Sequence, residues 1–564
     1  SYLDGVNDSI ETAQGKAEAH YLAGASSFFL KQDEPALTKL NESLAASPGG
    51  NYADDALLFI SRIHANAEKY EEAVKTASKL IDTFESSNVI DQAHFRRGDF
   101  LNDSKQYDKA IEDYQVVIER FPNSVYLVPS LYGKAWCELR LDKHETSVAT
   151  FTVVIDNHAQ HELHPASLLG RLICRHQLDE FDGVVEDANT VLKSTADNAI
   201  KMEAVYQRGL AEVALEKNEA VVASFTSLLE DYPKFDRIDS VLYELGWAYG
   251  ELEDTEKSIG MFDRVAKEFP QSQFLADAHF RVAESLYSDE KYADSVGRYE
   301  ASLAADPSNS LKENVLHKLG WAFYQQDEFA KAQEQFESQI KAFAEGTQAL
   351  QGRFMNAECL HKLGDFEKAL AVFEQFDASE LESAQMKTLA WLHAGQAASQ
   401  LKQYDKALVS LNLVVENSGE PSEFDARYEI GWILHRQMKY DDAVKQYEQV
   451  ARGSRGGVGA RARFMIGEIS FAKQDLEDAV KQFQRVMFGF GGEKAVAAVK
   501  VWQSKAAMEA GRSMEVQVED AKTKQDRDGL VKSAVEFYTY VVEKHPMSSS
   551  VEFARKRLEA LSKL

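Results

Sequence analysis

Apolar and polar positions recur along this chain in one arrangement. In "KQYDKAIEDYQVVIERFPNS" (105–124) an aromatic residue is followed three positions later by Ala, and four further on by a second aromatic, with charged residues between. Steps of three and four trace one face of a helix. The frame returns in "KYADSVGRYEASLAADPSNS" (291–310), "DEFAKAQEQFESQIKAF" (327–343), "GDFEKALAVFEQF" (364–376), "KQYDKALVSLNLVV" (402–415) and "MKYDDAVKQYEQV" (438–450). Its leading position falls at Tyr70, Tyr107, His144, Phe181, Asn218, Thr255, Tyr292, Phe329 and Phe366, with a constant step of 37 residues. Self-similarity of this length predicts a solenoid of helix pairs, because one pair cannot bury both its faces and must borrow its neighbour's. Some 28 or more helices in antiparallel pairs, and almost no strand, are predicted.

A second signal lies between these stripes. Small residues recur at Gly24, Gly98, Ala135, Gly209, Gly246, Ala283, Gly320, Ala357, Gly395, Gly431 and Gly467. A second small series holds Ala36, Ala73, Ala110, Ala332, Ala369, Ala407, Ala443, Ala479 and Ala534. Turn prolines stand at Pro122, Pro233, Pro270, Pro307 and Pro546. Small residues let two helices approach, aromatics fill the space between pairs, and Pro cannot continue the second helix. The Ser or Asn after Pro122, Pro270, Pro307 and Pro546 suits a cap for the next helix.

In this frame the chain resembles the tetratricopeptide repeat (TPR) family, whose pattern places small residues at repeat positions 8 and 20, aromatics near 17 and 24, and Pro at 32. The resemblance covers nearly the whole chain. It implies an all-α fold, a right-handed α-solenoid of about fourteen helix-turn-helix repeats, here with a 37-residue period rather than the family's 34. Residues 1–16 are expected as an N-terminal cap segment and 17–450 as the regular repeats 1–12. Residues 451–546 are expected as irregular repeats 13–14, and 547–564 as a capping helix. "ARGSRGGVG" (451–459) and "FGFGG" (488–492) replace Pro turns, and 512–529 is expected as an exposed charged loop or helix extension inside the last repeat.

Composition narrows the function. The chain has 564 residues and only 10 Pro, with a formal net charge of −28. So acidic a surface repels phosphate backbones and anionic membranes, and no apolar run approaches the ~20 residues of a membrane span. Three Cys (Cys137, Cys174, Cys359) each fall two residues after position 8, where other repeats hold Ser or Ala. They are expected to be buried, unpaired space-fillers.

Four tryptophans stand at position 9, directly after the small residue: Trp136, Trp247, Trp321 and Trp432. Two readings are open: each indole closes a gap against a neighbouring helix, or it anchors a bound segment while no residue of its own repeat covers it. The resemblance implies that position 9 lines a concave face, which would also carry Asp99, Glu284, Glu358 and Glu468. Such a face suits a partner with basic and apolar residues. No Asn occupies position 9, so the TPR clamp for chaperone carboxylate tails is not expected. Arg452, Arg455, Arg461 and Arg463 form a basic spot on an acidic chain. His158, His161 and His164 are weak metal candidates without a Cys or HExxH frame, and no cofactor is expected. Nothing supplies a catalytic constellation.

The expected function is a non-enzymatic scaffold binding protein or peptide segments; the alternative is a structural subunit of a larger envelope or filament assembly. The "FPNS", "FPQS" and "HPMS" turns resemble those of bacterial envelope TPR proteins, of the outer-membrane assembly lipoprotein and Tol–Pal cell-division coordinator types. The tail from Ala460 resembles large planctomycete TPR proteins. This implies an exported, periplasmic location, with a cytoplasmic one as the alternative.

Overall fold

A computed structural model describes residues 12–419 and 421–563, so residues 1–11 of the expected N-terminal cap lie outside the described residues. Twenty-nine α-helices and no strand occur among the described residues, numbered here α1 (Ala13–Phe29) to α29 (Val551–Leu561). Odd-numbered helices are the first (A) and even-numbered the second (B) of each pair. The 37-residue period resolves in α5 (Ile90–Asp103), α6 (Tyr107–Arg120) and α7 (Leu127–Arg140). Each helix has 14 residues, with three residues linking A to B and six linking B to the next A.

The chain divides between Ala278 and His279 into two compact units, the cut falling within α15 (Leu275–Ser288). Inside each unit successive helices pack on one another, and A helices of adjacent pairs also touch. The second small series forms the floor of this packing: Ala36, Ala73, Ala110, Ala332, Ala369, Ala407, Ala443, Ala479 and Ala534 are fully buried.

The A-to-B link uses one backbone device throughout. Lys31, Glu68, Lys105, Asp142, Asp179, Glu216, Glu253, Glu290, Asp327 and Gly364 follow one another at 37-residue steps, and all have positive φ (55° to 77°). Each ends an A helix with a left-handed residue. Lys105 N–H bonds to Asn102 O at 2.9 Å and Gln106 N–H to Leu101 O at 2.8 Å, which satisfies carbonyls the helix leaves open. Only one of the ten is Gly, although a Cβ costs free energy in this region. Glu68→Gly and Glu216→Gly are therefore each expected to raise stability by about 0.5–1 kcal/mol, the strain relief less glycine's greater unfolded-state entropy. Urea midpoints of the single and double variants would check this; a fall in both would contradict it.

The B-to-A turn is held by its serine. Ser124 Oγ donates to Asp91 Oδ2 at 2.6 Å, on the A helix 33 residues earlier, and accepts from Tyr126 N–H at 3.0 Å. Ser87 with Asp54 and Ser272 with Asp239 repeat the pattern. In these three turns the serine thus ties the turn to the previous pair instead of capping the next helix, whereas Ser308, after Pro307, is the expected N-cap and accepts from Leu311 N–H at 3.4 Å.

Three places depart from the period. The link after α24 (Tyr440–Gly453) shrinks to 454–456 before α25 (Gly457–Ala472). A Cβ on Gly453 would sit 2.2 Å from Phe424 Cζ, and one on Gly459 2.0 Å from Ser454 O, so this turn needs glycine. After α26 (Leu476–Gly489), Gly491 and Gly492 take positive φ. The 512–529 stretch is a helix extension: α27 (Ala497–Glu519) and α28 (Lys524–Lys544) are 23 and 21 residues long, with only 520–523 between them. Position 8 of this pair is Gly511, where a Cβ would lie 2.7 Å from Tyr538 Cζ.

Candidate functional site

The small residue before each Trp has a steric cause. A Cβ on Gly246 would lie 2.7 Å from Phe262 Cε1, on Gly320 2.8 Å from Phe336 Cε1, and on Gly431 2.8 Å from Tyr447 Cε1. The position-24 ring of the B helix occupies the space above position 8. The next residue then lies beside that ring. Trp136 meets Phe151 edge-on at 5.8 Å, Trp247 meets Phe262 at 6.2 Å, and Trp321 meets Phe336 at 6.4 Å. Tyr132, Tyr243 and His317, one helical turn before, close the other edge. These three indoles are part of a ring stack inside their own pair. The expectation that no residue of the same repeat covers them is corrected. Trp136 and Trp321 are half-buried and Trp247 is 37 % exposed. Trp321 Nε1 donates to His317 Nε2 at 3.0 Å.

The position-9 carboxylates are also engaged locally. Asp99 accepts from Tyr114 Oη at 2.9 Å and pairs with Arg96 at 3.1 Å. Its burial pushes the carboxyl up to about 6 against those two partners. Glu284 pairs with Lys318 at 2.7 Å and accepts from Tyr299. Glu358 is buried and bonds His393 at 2.5 Å; burial opposes its charge, but His393 and then Lys362 hold the carboxyl below its usual range. These three do not present a free negative surface, and the basic-ligand argument built on them loses its support.

The arginine run is dispersed in the same way. Arg452 pairs with Glu448 at 2.6 Å, Arg463 donates to Gln482 at 3.2 Å, and Arg455 is exposed in the turn. Arg461 points elsewhere, so no single basic spot exists. His161 Nδ1 accepts from Leu163 N–H at 3.1 Å and His158 ends its helix. Among the described residues no group of three or more His, Cys, Asp or Glu could hold a metal ion. Cys137, Cys174 and Cys359 are free and fully buried on A helices, and burial pushes the Cys137 and Cys359 thiols up to about 12.

One place gathers the remaining features. In the second unit, α23 (Ser422–Arg436), α25, α27 and α29 line an open cleft of about 670 Å³. Trp502 lines it, 5.4 Å from Phe464. Arg461 lies 4.2 Å from the Tyr428 ring and 5.6 Å from Trp502, while Lys505 Nζ lies 4.4 Å from Trp502. The indole is thus bracketed by two cations. Arg461 Nε is buried without a hydrogen-bond partner. Trp432, with Arg436 at 5.7 Å, forms one wall; Met465, Met508 and Phe553, which is 55 % exposed, form others. Of the residues singled out in the sequence, Trp432 and Arg461 meet here and Glu468 lies on the same helix as Arg461. Trp502, Lys505, Met508 and Tyr428 were missed. None of them stands at position 9: with Gly511 at position 8, Lys505 and Met508 lie six and three residues before it, and Tyr428 lies three before Gly431.

Glu468 is a partly buried acid in this region. Burial, then the neighbouring Glu509, pushes its carboxyl up to about 7, with Arg512 opposing. A raised acid pKa means that the folded state resists ionisation. Stability is lost as pH climbs from the unfolded value near 4.5 to the folded value near 7, and stays lost above it. Glu468→Gln is therefore expected to melt higher than the wild type at pH 8, with the gap closing below pH ~4.5. Paired thermal melts across this window would show it; a pH-independent gap would not fit.

Known proteins place the chain by its repeats. One tetratricopeptide-repeat model matches residues 317–383, 392–458 and 428–488, and a second matches 92–124 and 240–272. No curated protein matches significantly. Among solved structures, a tetratricopeptide repeat protein from Parabacteroides merdae is 18 % identical with a TM-score of 0.32, over 48 % of this chain and 98 % of that one. YrrB, described as a TPR protein with an unusual peptide-binding site, is 17 % identical at 0.29, over 38 % of this chain and 97 % of its own. Yeast Tom70 is 16 % identical at 0.26, over 84 % of this chain and 97 % of its own. With both units built of helix pairs in one frame, and repeats of the family matched in each, the chain carries tetratricopeptide repeats in both units.

Proposed function

We propose that the protein is a non-enzymatic scaffold that seats a segment of a partner protein in the cleft between α23 and α29. The observation that carries this is the bracketed Trp502: an indole flanked by Arg461 and Lys505, beside Trp432 and Tyr428, in an open cleft. Aromatic and Arg side chains on a rigid helical frame are the residues that most often carry binding energy. They recognise aromatic or long aliphatic side chains, and the two cations add a site for a ligand carbonyl or carboxylate. The scaffold role common among tetratricopeptide repeat proteins fits the same reading.

A phage-displayed peptide library panned on the folded protein should return sequences rich in aromatic and aliphatic residues. Retention should be lost with Trp502→Ala and Trp432→Ala and kept with Trp136→Ala, whose indole serves its own repeat. Equal retention by all three would overturn the proposal. A native mass showing a defined oligomer that buries this cleft would favour the structural-subunit reading instead. The envelope location is part of this proposal and rests on the turn sequences. Recovery from the periplasmic rather than the cytoplasmic fraction of the source cells decides it.

A further inference from the structure

The turn that closes the last pair differs in charge from three of its counterparts. At three turns the serine donates to an aspartate: Ser87 to Asp54, Ser124 to Asp91 and Ser272 to Asp239, at 2.6 to 2.7 Å; Thr388 with Ser418, at 2.8 Å, makes a hydroxyl pair instead. At the last pair the equivalent of that aspartate is Ser504, seven residues before Gly511 as Asp91 is seven before Gly98. Ser504 Oγ donates to Ser548 Oγ at 2.6 Å, and the carboxylate is gone.

A cleft of about 410 Å³ opens beside this turn. Lys500 and Lys505 of α27 and Lys544 of α28 line it. Lys544 pairs with Glu493 at 2.6 Å; Lys500 and Lys505, both exposed, have no ion-pair partner among the described residues. Val501 and Met547 give the cleft an apolar surface, 53 % and 96 % exposed. His545, only 8 % exposed, lies in the wall with its Nε2 unpartnered. The counterpart cleft beside Ser87 is lined instead by Asp54, Asp82 and Glu85. The same architectural place is acidic near one end of the sequence and basic near the other.

We propose that this cleft binds an acidic segment of a partner protein, with carboxylates on Lys500 and Lys505 and an apolar side chain over Val501 and Met547. Charge complementarity selects this occupant. The chain's net charge of −28 repels anions at long range, so an anionic partner gains only where unpaired lysines lie within a Debye length of about 8–10 Å. A short acidic peptide fits that limit; a long polyanion would overlap the acidic surface around it. The site is separate from the aromatic cleft, although Lys505 borders both.

The test is fluorescence polarisation of the full chain with a fluorescein-labelled peptide of sequence DEDLLE. Binding is expected at roughly 50 mM salt and should weaken by about tenfold toward 300 mM. Lys500→Glu, alone or combined with Lys505→Glu, should weaken it at least about tenfold. Ser504→Asp, which rebuilds the acid that stands as Asp54, Asp91 and Asp239 in three other turns, should weaken it without removing a lysine. Trp432→Ala should leave it unchanged, which separates this site from the aromatic cleft. Absence of binding, equal binding of the charge-reversed peptide KRKLLK, or loss only with Trp432→Ala would each overturn the proposal. So would a native dimer whose formation the lysine variants abolish, because a second copy would then be the occupant.

Discussion

Phe336→Ala is expected to destabilise its part of the second unit by about 3–5 kcal/mol. Phe336 is fully buried at the centre of α18 (Phe329–Ala342), and three neighbours depend on its ring. Trp321 and His317 meet it edge-on at 6.4 and 5.7 Å, and Gly320 lacks a Cβ because the ring is there. Truncation leaves a cavity that α17 (Asn309–Gln325) cannot collapse into without shifting both rings. The reverse error tests the same contact. Gly320→Ala places a methyl 2.8 Å from the ring and should cost about 1–3 kcal/mol through overpacking. The two together should cost less than their sum, because the methyl enters space the missing ring has vacated. Unfolding of a repeat array need not be two-state. Hydrogen exchange of the amides in α17 and α18 therefore reads the effect better than one melting temperature. Exchange unchanged in Phe336→Ala would show that the ring stack does not hold the pair.

The second large effect is electrostatic. Asp187 on α10 (Phe181–Ser194) is 2 % exposed and accepts from Arg171 at 2.6 and 2.9 Å and from Arg175 at 3.0 Å. Arg171 also reaches Thr152 on the preceding B helix at 3.1 Å, so the group joins two pairs. Asp187→Ala leaves two guanidinium groups without their shared counter-charge, at a cost of about 3–5 kcal/mol. Replacing Arg171 by Met and Asp187 by Leu together should recover most of that loss, since no buried charge is then stranded and Arg175 keeps Glu180 at 3.6 Å. Urea unfolding of the three proteins gives the comparison. A double variant no better than Asp187→Ala would show that the pair contributes net attraction.

Much of this architecture is legible from spacing. Tyr107, Ala110 and Tyr114 read as one buried stripe because a helix presents residues three and four apart on one side. The step of 37 makes each repeat evidence for the next. The burial of Cys137, Cys174 and Cys359 is foreshadowed by the small residues in the same slot elsewhere. The last pair hides its frame, because Gly511 stands inside a helix of 23 residues instead of 14. Both helices there are lengthened, which moves a residue around the helix without changing its type. The role of the tryptophans is not legible either, because a sequence states that Trp321 follows Gly320 but not which ring lies beside them.

The information held in the chain alone is therefore local and periodic: helix type, the pairing of helices, the slots for small residues, and an acidic surface. Intrinsic preference and repetition fix these, and both are one-dimensional properties. Packing in three dimensions decided which charges remain available and which aromatics share a space. Asp99, Glu284 and Glu358 hold the same repeat position as the aromatic candidates, yet each is consumed by a neighbour up to 35 residues away. Trp432, Arg461 and Trp502 come from three successive pairs and meet in one cleft. Availability is a property of packing across repeats, where distances of a few ångströms between distant residues fix both burial and charge, and no spacing along the chain contains them.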